Sequence, residues 1–280
     1  YTTSDSDAQS NNWWAFACDN QICSSANQGS GNSGSPFKVN HRPSFTAINN
    51  NSPKDPGEDV TWTATASDPD DDTYQDKVKL YVCATSGFNP STGCTGTQLC
   101  ASDWVISNPS CSYTIPTPKP DGNYDAYVYI TDWHYFAASG GQQGANSFYT
   151  VNNVAPVVSN VTLNNGNDIE LTESSTKNVT VTATVSDNNS CQDIQSVKTS
   201  VYRSGIGWSG CDTQGEANDN YCYALITCTQ DSGTCTGSDD ADATYTCTVS
   251  IWYHADPTDT GTQYQEQNWK NTVIADDENL

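Results

Sequence analysis

The residues with the clearest potential for chemistry lie in an acidic turn, SDPDDDTYQD, at positions 67–76. Asp68, Asp70 and Asp72 alternate there, as the first three ligands of an EF-hand calcium loop do. That loop needs Gly at its sixth position and a bidentate Glu at its twelfth, where this chain has Thr73 and Lys79. The turn is therefore not an EF-hand, and a cation bound by it needs ligands from another part of the fold.

No motif for nucleophilic or cofactor chemistry agrees with its context. The segment GSGNSG, with Gly29, Gly31 and Gly34, has the spacing of a dinucleotide-binding loop, but it runs into the strand-like PFKVN where that loop opens a helix. The chain has no G-x-S-x-G and no H-E-x-x-H, and none of its three histidines has an orienting partner in the sequence. We therefore predict that the protein is not an enzyme, with a glycosidase-like carboxylate pair as the least favoured alternative.

Composition excludes two classes of partner. The 280 residues include 10 Lys and Arg against 33 Asp and Glu, a formal net charge of −23 that repels phosphate backbones and anionic lipids. No apolar run approaches the roughly 18 residues of a membrane-spanning helix. We expect no nucleic-acid partner and no direct membrane insertion. The absence of Met, an initiator included, predicts a processed chain or an excerpt of a longer one.

The cysteines indicate an oxidising compartment. They are even in number, include no C-x-x-C pair for zinc or redox chemistry, and fall into groups of two, four and six. We predict that all of them form disulfide bonds, which small domains with few apolar residues need for stability. The favoured local pairs are Cys18–Cys23, Cys83–Cys94 and Cys100–Cys111. Six cysteines remain open among fifteen pairings: Cys191, Cys211, Cys222, Cys228, Cys235 and Cys247.

The elements that position these residues are predicted from internal repeats. TWTATASD at 61–68 matches TVTATVSD at 180–187. Apolar and polar residues alternate in both segments, which is the period-2 pattern of a half-buried strand. No stretch keeps a 3.6-residue period over three turns, because Gly, Asn, Asp and Pro interrupt the chain about every ten residues. The fold class is therefore predicted to be all-β.

Two further repeats show where later strands recur. An aromatic strand that ends in Asp occurs at 123–132, at 268–277 and, more loosely, at 11–19. A Gly-rich loop with a closing strand occurs at 29–40 and again at 140–152. In the lettering of an immunoglobulin-like sandwich, these segments are strands F and G. The first part of the chain then carries only F and G, and the last part stops after F.

The repeats divide the chain into three parts. Residues 41–152 are predicted to form a complete unit, residues 1–40 the last two strands of a preceding one, and residues 153–280 a unit without its last strand, with a Cys-rich insertion at 204–247. The spacing of turns and strands favours tandem immunoglobulin-like sandwiches in an elongated array. The incomplete ends are compatible with head-to-tail strand complementation between copies or with an excerpt of a longer array.

The sequence resembles a known group of modules. The pattern P-x-F/V, then V-x-W/V-x-A-x-A/V-S-D-P/N, then a strand ending in T/A-D is similar to the tandem Ig-like repeats, related to PKD and cadherin-like modules, of secreted prokaryotic surface proteins. The chain lacks the W-x-F-G-D-G signature of PKD domains and the Cys, Trp, Cys spacing of antibody domains. The resemblance implies a stalk, adhesin, sheath, filament subunit or enzyme appendage, and it implies calcium in the loops.

The predicted fold gives the acidic turn a partner. In a sandwich, the loops after strands B and F lie at the same end, which brings Asp132 toward Asp68 and Asp70. Hard carboxylate oxygens suit Ca²⁺, and an ordinary solvated turn is the alternative. The expected calcium ligands are Asp68, Asp70, Asp72 and Asp132. A second site, which would pair Asp187 with Asp276, is less favoured, because Asn188 and Asn189 stand where the first site has additional acids.

Aromatic residues are the other candidate for ligand binding. Trp104, Trp133 and Trp208 fall in predicted loops, where they could form a sugar-binding surface. Trp62 and Trp269 fall at inward-facing strand positions and are predicted to be core residues.

These observations favour an extracellular or cell-surface structural protein, a subunit or segment of a filament, stalk or sheath. Its expected partners are other copies of itself or neighbouring repeats. No cofactor is expected, with calcium as the alternative. The alternative is an adhesion module that binds glycans or proteins through loop aromatics, since the Cys-rich insertion is unlike the other loops. Four sequons are possible glycosylation sites: Asn50, Asn160, Asn178 and Asn188.

Overall fold

The computed structural model describes residues 2–4, 6–24, 28–29, 36–70 and 76–277. It is all-β, as predicted, and its helical elements are three short 3-10 turns: Asn164–Gly166, Trp208–Gly210 and Gln214–Glu216. The chain divides into two compact units. Unit 1 comprises Tyr1–Ser52, Asp59–Thr114 and Asn123–Thr150, and unit 2 comprises Pro53–Glu58, Ile115–Gly122 and Val151–Leu280. No helix in the described part is long or apolar enough to span a membrane.

The strands of the first half of the chain are β1 (Ser10–Asn11), β2 (Trp14–Ala15), β3 (Gln28–Gly29), β4 (Phe37–Lys38), β5 (Ser44–Asn50), β6 (Asp59–Ser67), β7 (Val78–Cys83), β8 (Phe88–Asn89), β9 (Gly93–Cys94), β10 (Gln98–Ala101), β11 (Ser110–Thr114), β12 (Gly122–Tyr124), β13 (Tyr127–Asp132) and β14 (Tyr149–Val151). Two antiparallel sheets of three strands form the core of unit 1, in the orders β11-β6-β5 and β10-β7-β13, and the other described strands pair as β1-β4, β2-β3, β8-β9 and β12-β14. Fully buried side chains come from both sheets, among them Val60, Trp62, Leu80, Val82 and Val128.

The strands of unit 2 are β15 (Val157–Leu163), β16 (Thr176–Ser186), β17 (Ile194–Arg203), β18 (Cys222–Thr227), β19 (Thr229–Gln230), β20 (Asp242–Trp252) and β21 (Trp269–Asp277). They also form two antiparallel sheets, in the orders β15-β16-β20-β19 and β18-β17-β21. One hydrophobic cluster joins Val181 of β16, Val249 of β20 and Val201 of β17, so both sheets contribute to a single core.

The repeated first pattern forms the strands that it predicts. TWTATASD lies in β6 and TVTATVSD in β16, and both strands end one residue before the Asp. The alternating apolar residues of each strand are at most 3% exposed: Val60, Trp62, Ala64, Ala66, Val179, Val181, Ala183 and Val185. The period-2 pattern therefore faces the core in both units.

The loosest match, 11–19, forms little strand. It contributes only Asn11 to β1 and the two residues of β2. Trp14 and Phe16 are more than half exposed, so no core supports an extended strand there. The preceding unit predicted for residues 1–40 would require further strands around this segment. Most of the Gly-rich loop predicted at 29–40 lies outside the described residues.

All twelve cysteines are joined in disulfide bonds, as predicted. The structure contains the three local pairs that the sequence favours, Cys18–Cys23, Cys83–Cys94 and Cys100–Cys111. It also settles the six open residues, as Cys191–Cys235, Cys211–Cys222 and Cys228–Cys247. Cys191–Cys235 thus joins the Cys-rich segment 204–247 to the turn before β17, and the other two bonds lie within that segment.

Candidate metal sites

The acidic turn of unit 1 gathers three carboxylates. Asp68 follows β6 directly, Asp70 is two residues further, and Asp76 precedes β7. One carboxylate oxygen from each lies within 4.8 Å of the others. Asp72, the fourth predicted ligand, lies outside the described residues. Asp76 was not among the predicted ligands, although it ends the same acidic turn.

Asp132, at the end of β13, belongs to the same group of charges. It is fully buried, its Oδ1 accepts a hydrogen bond from the Phe136 N–H at 2.7 Å, and its Oδ2 accepts one from Asn40 Nδ2 at 2.8 Å. Asp132 lies close enough to Asp68 for its charge to act on that carboxyl, but it is not one of the three carboxylates that meet within 4.8 Å, and its own oxygens are occupied by donors.

Among the described residues of unit 1, Asp68 has a buried carboxylate oxygen without a hydrogen-bond donor. Its Oδ1 accepts a hydrogen bond from the Asp70 N–H at 2.9 Å. Its Oδ2 is buried and accepts no hydrogen bond from the residues that the structure describes, and the same holds for Asn40 Oδ1. Burial, followed by the negative charges of Asp70, Asp132 and Asp76, raises the pKa of Asp68 to about 6. The surroundings of Asp68 therefore favour its protonated, neutral form.

Two histidines contact the carboxylates of unit 1. His41 Nδ1 lies 2.5 Å from Asp70 Oδ1, and the His41 backbone N–H donates to Asp70 Oδ2 at 2.6 Å. His134 Nε2 lies 3.2 Å from Asp76 Oδ1. Both histidines looked isolated in the sequence, because their partners are 29 and 58 positions away along the chain. Only the fold reveals this pairing of imidazole with carboxylate.

Unit 2 contains a second cluster of carboxylates. One oxygen each of Asp187, Asp193 and Asp277 lies within 4.8 Å of the other two. The sequence prediction paired Asp187 with Asp276 instead, and that choice is corrected here. Successive side chains of a strand point to opposite faces, and in β21 Asp277 is buried whereas Asp276 is exposed and accepts a hydrogen bond from Ser196 Oγ at 3.1 Å.

Asp187 is the most deeply buried member of this cluster, with 1% of its surface exposed. Its Oδ1 accepts a hydrogen bond from the Asn189 N–H at 2.7 Å. Its Oδ2 is buried and, within the described part of the chain, accepts none. Burial is the largest cause that raises the pKa of Asp187, and the charges of Asp277 and Asp121 raise it further.

Asparagine side chains complete the surroundings in unit 2. Asn189 Oδ1 accepts a hydrogen bond from the Val154 N–H at 2.7 Å, and its Nδ2 donates to the carbonyls of Asn152 at 2.8 Å and Lys119 at 3.1 Å. Both side-chain polar atoms of Asn153 are buried without a hydrogen-bond partner among the described residues. Buried polar atoms in this condition are rare in folded proteins and call for an explanation.

The two clusters are built from equivalent positions. Asp68 and Asp187 each follow the strand of the first repeat, and Asp76 and Asp193 each end the turn, both after a Gln. That shared Gln-Asp is the sequence signal that could have identified Asp193. Asp132 and Asp277 end the equivalent strands β13 and β21.

The segment that enters each unit is held in the same way. Asp70 accepts the backbone N–H of His41, two residues before Pro43, and Asn189 accepts that of Val154, two residues before Pro156. The residues immediately before these, Asn40 and Asn153, therefore occupy equivalent positions. A buried oxygen without a hydrogen bond recurs on both of them, as it does on Asp68 and Asp187.

The structure brings two of the three predicted loop aromatics together. The rings of Trp104 and Trp133 lie 5.1 Å apart in unit 1, and Tyr135 lies 6.4 Å from Trp104. Trp208 belongs to unit 2, where it packs 6.4 Å from Tyr202. A single surface made of all three tryptophans is therefore not formed within either unit.

Three of the four sequon asparagines are exposed, namely Asn160, Asn178 and Asn188. Asn50 is half-buried, and its Nδ2 donates to the Phe148 carbonyl at 2.9 Å. The three exposed positions are the more accessible ones for modification.

No protein-family model matches the chain, and no curated protein shows significant similarity to it. Fold and site nevertheless define a class: a disulfide-bonded all-β protein of two compact units, each with a partly or wholly buried carboxylate cluster at the end of equivalent strands.

Proposed function

We propose that this chain is an extracellular structural protein, a segment or subunit of a surface filament, stalk or sheath built of Ig-like repeats that bind calcium. Six disulfide bonds fit an oxidising environment outside the cell. The repeated β units and the absence of a nucleophile motif support a structural role over a catalytic one.

The recurrence of the unsatisfied oxygens supports calcium most directly. Asp68 and Asp187 each have one buried oxygen without a donor, and the adjoining Asn40 and Asn153 repeat the same feature. A solvated acidic turn would explain exposed carboxylates, but it does not explain Asp187, which is 1% exposed. A cation would supply the positive charge that the cluster needs.

The donors fit Ca²⁺ better than other common metals. Calcium binds oxygen ligands at about 2.4 Å, so two ligand oxygens on opposite sides of the ion lie about 5 Å apart. Within each cluster, one oxygen of each carboxylate lies within 4.8 Å of the others, which is close enough for a single ion to contact all three. Asn152 and Val154, the chain neighbours of Asn153, both hydrogen-bond to Asn189, two residues after Asp187, and every cysteine is in a disulfide bond, which leaves no thiolate for zinc. When bound, the ion would neutralise the carboxylates and fix the turns that carry them.

Calcium binding is tested by calorimetric titration of the whole chain, together with thermal unfolding in chelator and in millimolar Ca²⁺. We expect binding in both units and a higher melting temperature with calcium. Asp187→Asn should weaken the unit 2 site by about a hundredfold, as loss of a metal-site group does. Asp276→Asn is the matched control, because this adjacent residue faces outward, and its affinity should stay unchanged.

An unchanged melting temperature, with no heat of binding, would show that neither cluster binds calcium. Equal losses in Asp187→Asn and Asp276→Asn would show that the effect comes from net charge and not from the site.

The proposal includes end-to-end association, between copies or between neighbouring repeats. Among the described strands β21 pairs only with β17, and its inward residues Val273 and Ala275 are half-buried. In the equivalent strand β13, the inward Val128 and Ile130 are fully buried. An edge of this kind accepts a further strand. Sedimentation of the full chain and of a variant without residues 1–40 tests this part, since complementation requires the full chain to polymerise and the shortened one to stay monomeric.

A further inference from the structure

A cluster of exposed aromatic residues in unit 1 has no role in the proposed calcium sites. Trp133, Tyr135 and Phe136 follow β13 and are 53%, 54% and 44% exposed, and His134 between them is exposed as well. Isolated exposed apolar residues are common, but contiguous ones mark interaction surfaces. We refer to residues 133–136 as the aromatic turn.

The aromatic turn is held by the buried end of β13. The Asp132 N–H donates to the Phe136 carbonyl at 3.0 Å, and the Tyr135 N–H donates to the Asp132 carbonyl at 3.1 Å. The Asp132 carboxylate accepts the Phe136 N–H at 2.7 Å. Tyr135 has a φ of 66°, a left-handed conformation that is unfavourable for an aromatic residue. These bonds fix the backbone of the aromatic turn, which lowers the conformational entropy that ligand binding would cost.

Three aromatic rings, those of Trp104, Trp133 and Tyr135, form one group, and Phe136 contacts Arg42. Trp104, in the loop after β10, lies edge-on to Trp133, and the Lys79 ammonium lies 5.7 Å from the Trp104 ring centre. On the other side, the Arg42 guanidinium lies 5.7 Å from the Phe136 ring centre and donates to the Ala137 carbonyl at 3.0 Å. Cations at these distances from the rings place hydrogen-bond donors beside the aromatic surface.

A polar pocket adjoins the aromatic turn. Its volume is about 410 Å³, within the range of small-molecule sites. It shares Arg42 with the aromatic group, and Ser139 lies three residues beyond Phe136. The lining residues are Gln9, His41, Arg42, Pro69, Asp70 and Ser139. Asp70 and His41 already bond to each other, and His41 Nε2 contacts the Asp7 carbonyl, so the groups that the pocket presents to a ligand are the Arg42 guanidinium as a donor and the Ser139 hydroxyl as a donor and acceptor.

From these observations we propose that the pocket and the aromatic turn of unit 1 bind a neutral saccharide. Sugars present apolar C–H faces that stack on aromatic rings and hydroxyls that donate and accept hydrogen bonds, and the two surfaces meet these needs side by side. Acidic sugars and phosphates are disfavoured by Asp68, Asp70, Asp76 and Asp132 at this end of unit 1 and by the net charge of −23. This activity goes beyond the structural role, and the pocket shares one residue, Asp70, with the proposed calcium site of unit 1.

The test is an array of neutral and acidic oligosaccharides, probed with the full chain and followed by titration of the free sugars that bind. We expect neutral sugars alone to bind, and Trp133→Ala to weaken binding by about tenfold, the loss expected for one aromatic stacking contact. Trp252→Ala is the matched control, because Trp252 is 42% exposed but lies in unit 2. The Trp252→Ala variant should bind the sugar with an affinity within about twofold of that of the unsubstituted chain. Tryptophan emission should shift on sugar binding, and Trp133→Ala should reduce that shift.

Three outcomes would overturn the proposal. The first is no binding of neutral sugars at millimolar concentration, and the second is an equal loss in the Trp133 and Trp252 variants. The third is self-association of the chain that Trp133→Ala abolishes, which would make the aromatic turn a protein-protein interface. Calcium titration of Trp133→Ala separates this test from the preceding one, because that variant should bind calcium normally even if no sugar binds.

Discussion

The carboxylate clusters of the two units share one backbone design but balance their charge differently. In unit 1 the residue that holds the entering segment is Asp70, and it contacts His41 through both ring and backbone. In unit 2 the equivalent residue is Asn189, and Val154 takes the place of His41. A neutral amide in unit 2 holds the same backbone N–H without adding a charge. The same hydrogen bond is therefore present in both units, with a charged acceptor in unit 1 and a neutral acceptor in unit 2.

The two clusters differ in burial at one equivalent position, because Asp187 is 1% exposed whereas Asp68 is half-buried. Asp277 and the equivalent Asp132 are both buried. A further carboxylate costs more free energy where water is more fully excluded. Unit 1 tolerates Asp70 because an imidazole lies beside it. The comparison predicts that the residues at this position are not interchangeable.

The largest effect is expected for Asn189→Asp, which gives unit 2 the residue of unit 1. In chelator it should lower the free energy of unfolding of unit 2 by about 3 kcal/mol, because it adds a buried charge and removes the bonds to the Asn152 and Lys119 carbonyls. Calcium should recover most of this loss. Hydrogen exchange measured by mass spectrometry reports on each unit separately. The control is Asn188→Asp at the exposed neighbour, and equal effects of the two variants would refute the comparison.

The next effect compares the equivalent strands β13 and β21. Val128→Ala should cost about 2 kcal/mol of stability, since it removes two methyl groups from a fully buried site. Val273→Ala should cost about 1 kcal/mol or less in the monomer, because Val273 is half-buried. Urea unfolding measures both. If an added strand covers β21 on assembly, the cost of Val273→Ala should rise in the polymer, and a cost that is equal in both states would contradict complementation.

The smallest effect is a pH dependence in the absence of calcium. The folded pKa of Asp68 is raised to about 6, above its ordinary value of 3.8, so folding favours the protonated form. The stability that Asp68 contributes is present at low pH and is lost as the pH rises from about 4 to about 6. The loss should be modest, because solvent screens this half-exposed carboxyl.

Asp68→Asn should flatten this part of the pH profile, and the urea midpoint in chelator measures it. Asp187 has a raised pKa with the same sign, so unit 2 should follow the same trend. Saturating calcium should remove the dependence in both units. A midpoint that rises between pH 4 and pH 6 in chelator would contradict the sign of both shifts.

The sequence by itself determined the features that depend on local spacing. The alternation in β6 and β16 predicted which residues face the core, because side chains of a strand alternate between its two faces. The favoured disulfide pairs are 5 to 11 residues apart, a span that a short loop closes at little entropic cost. The acidic turn after β6 was visible for the same reason, since its carboxylates are neighbours along the chain.

The tertiary structure decided everything that depends on how distant segments meet. It joined Cys191 to Cys235 across 44 residues, and it brought His41 to the acidic turn of unit 1 and Asn40 to Asp132. It also placed Asp277, and not Asp276, beside Asp187, because the facing of a side chain near a strand end depends on the register of that strand with its neighbour. Sequence spacing records which residues are near along the chain, whereas a binding site depends on which side chains the packed sheets turn toward one another.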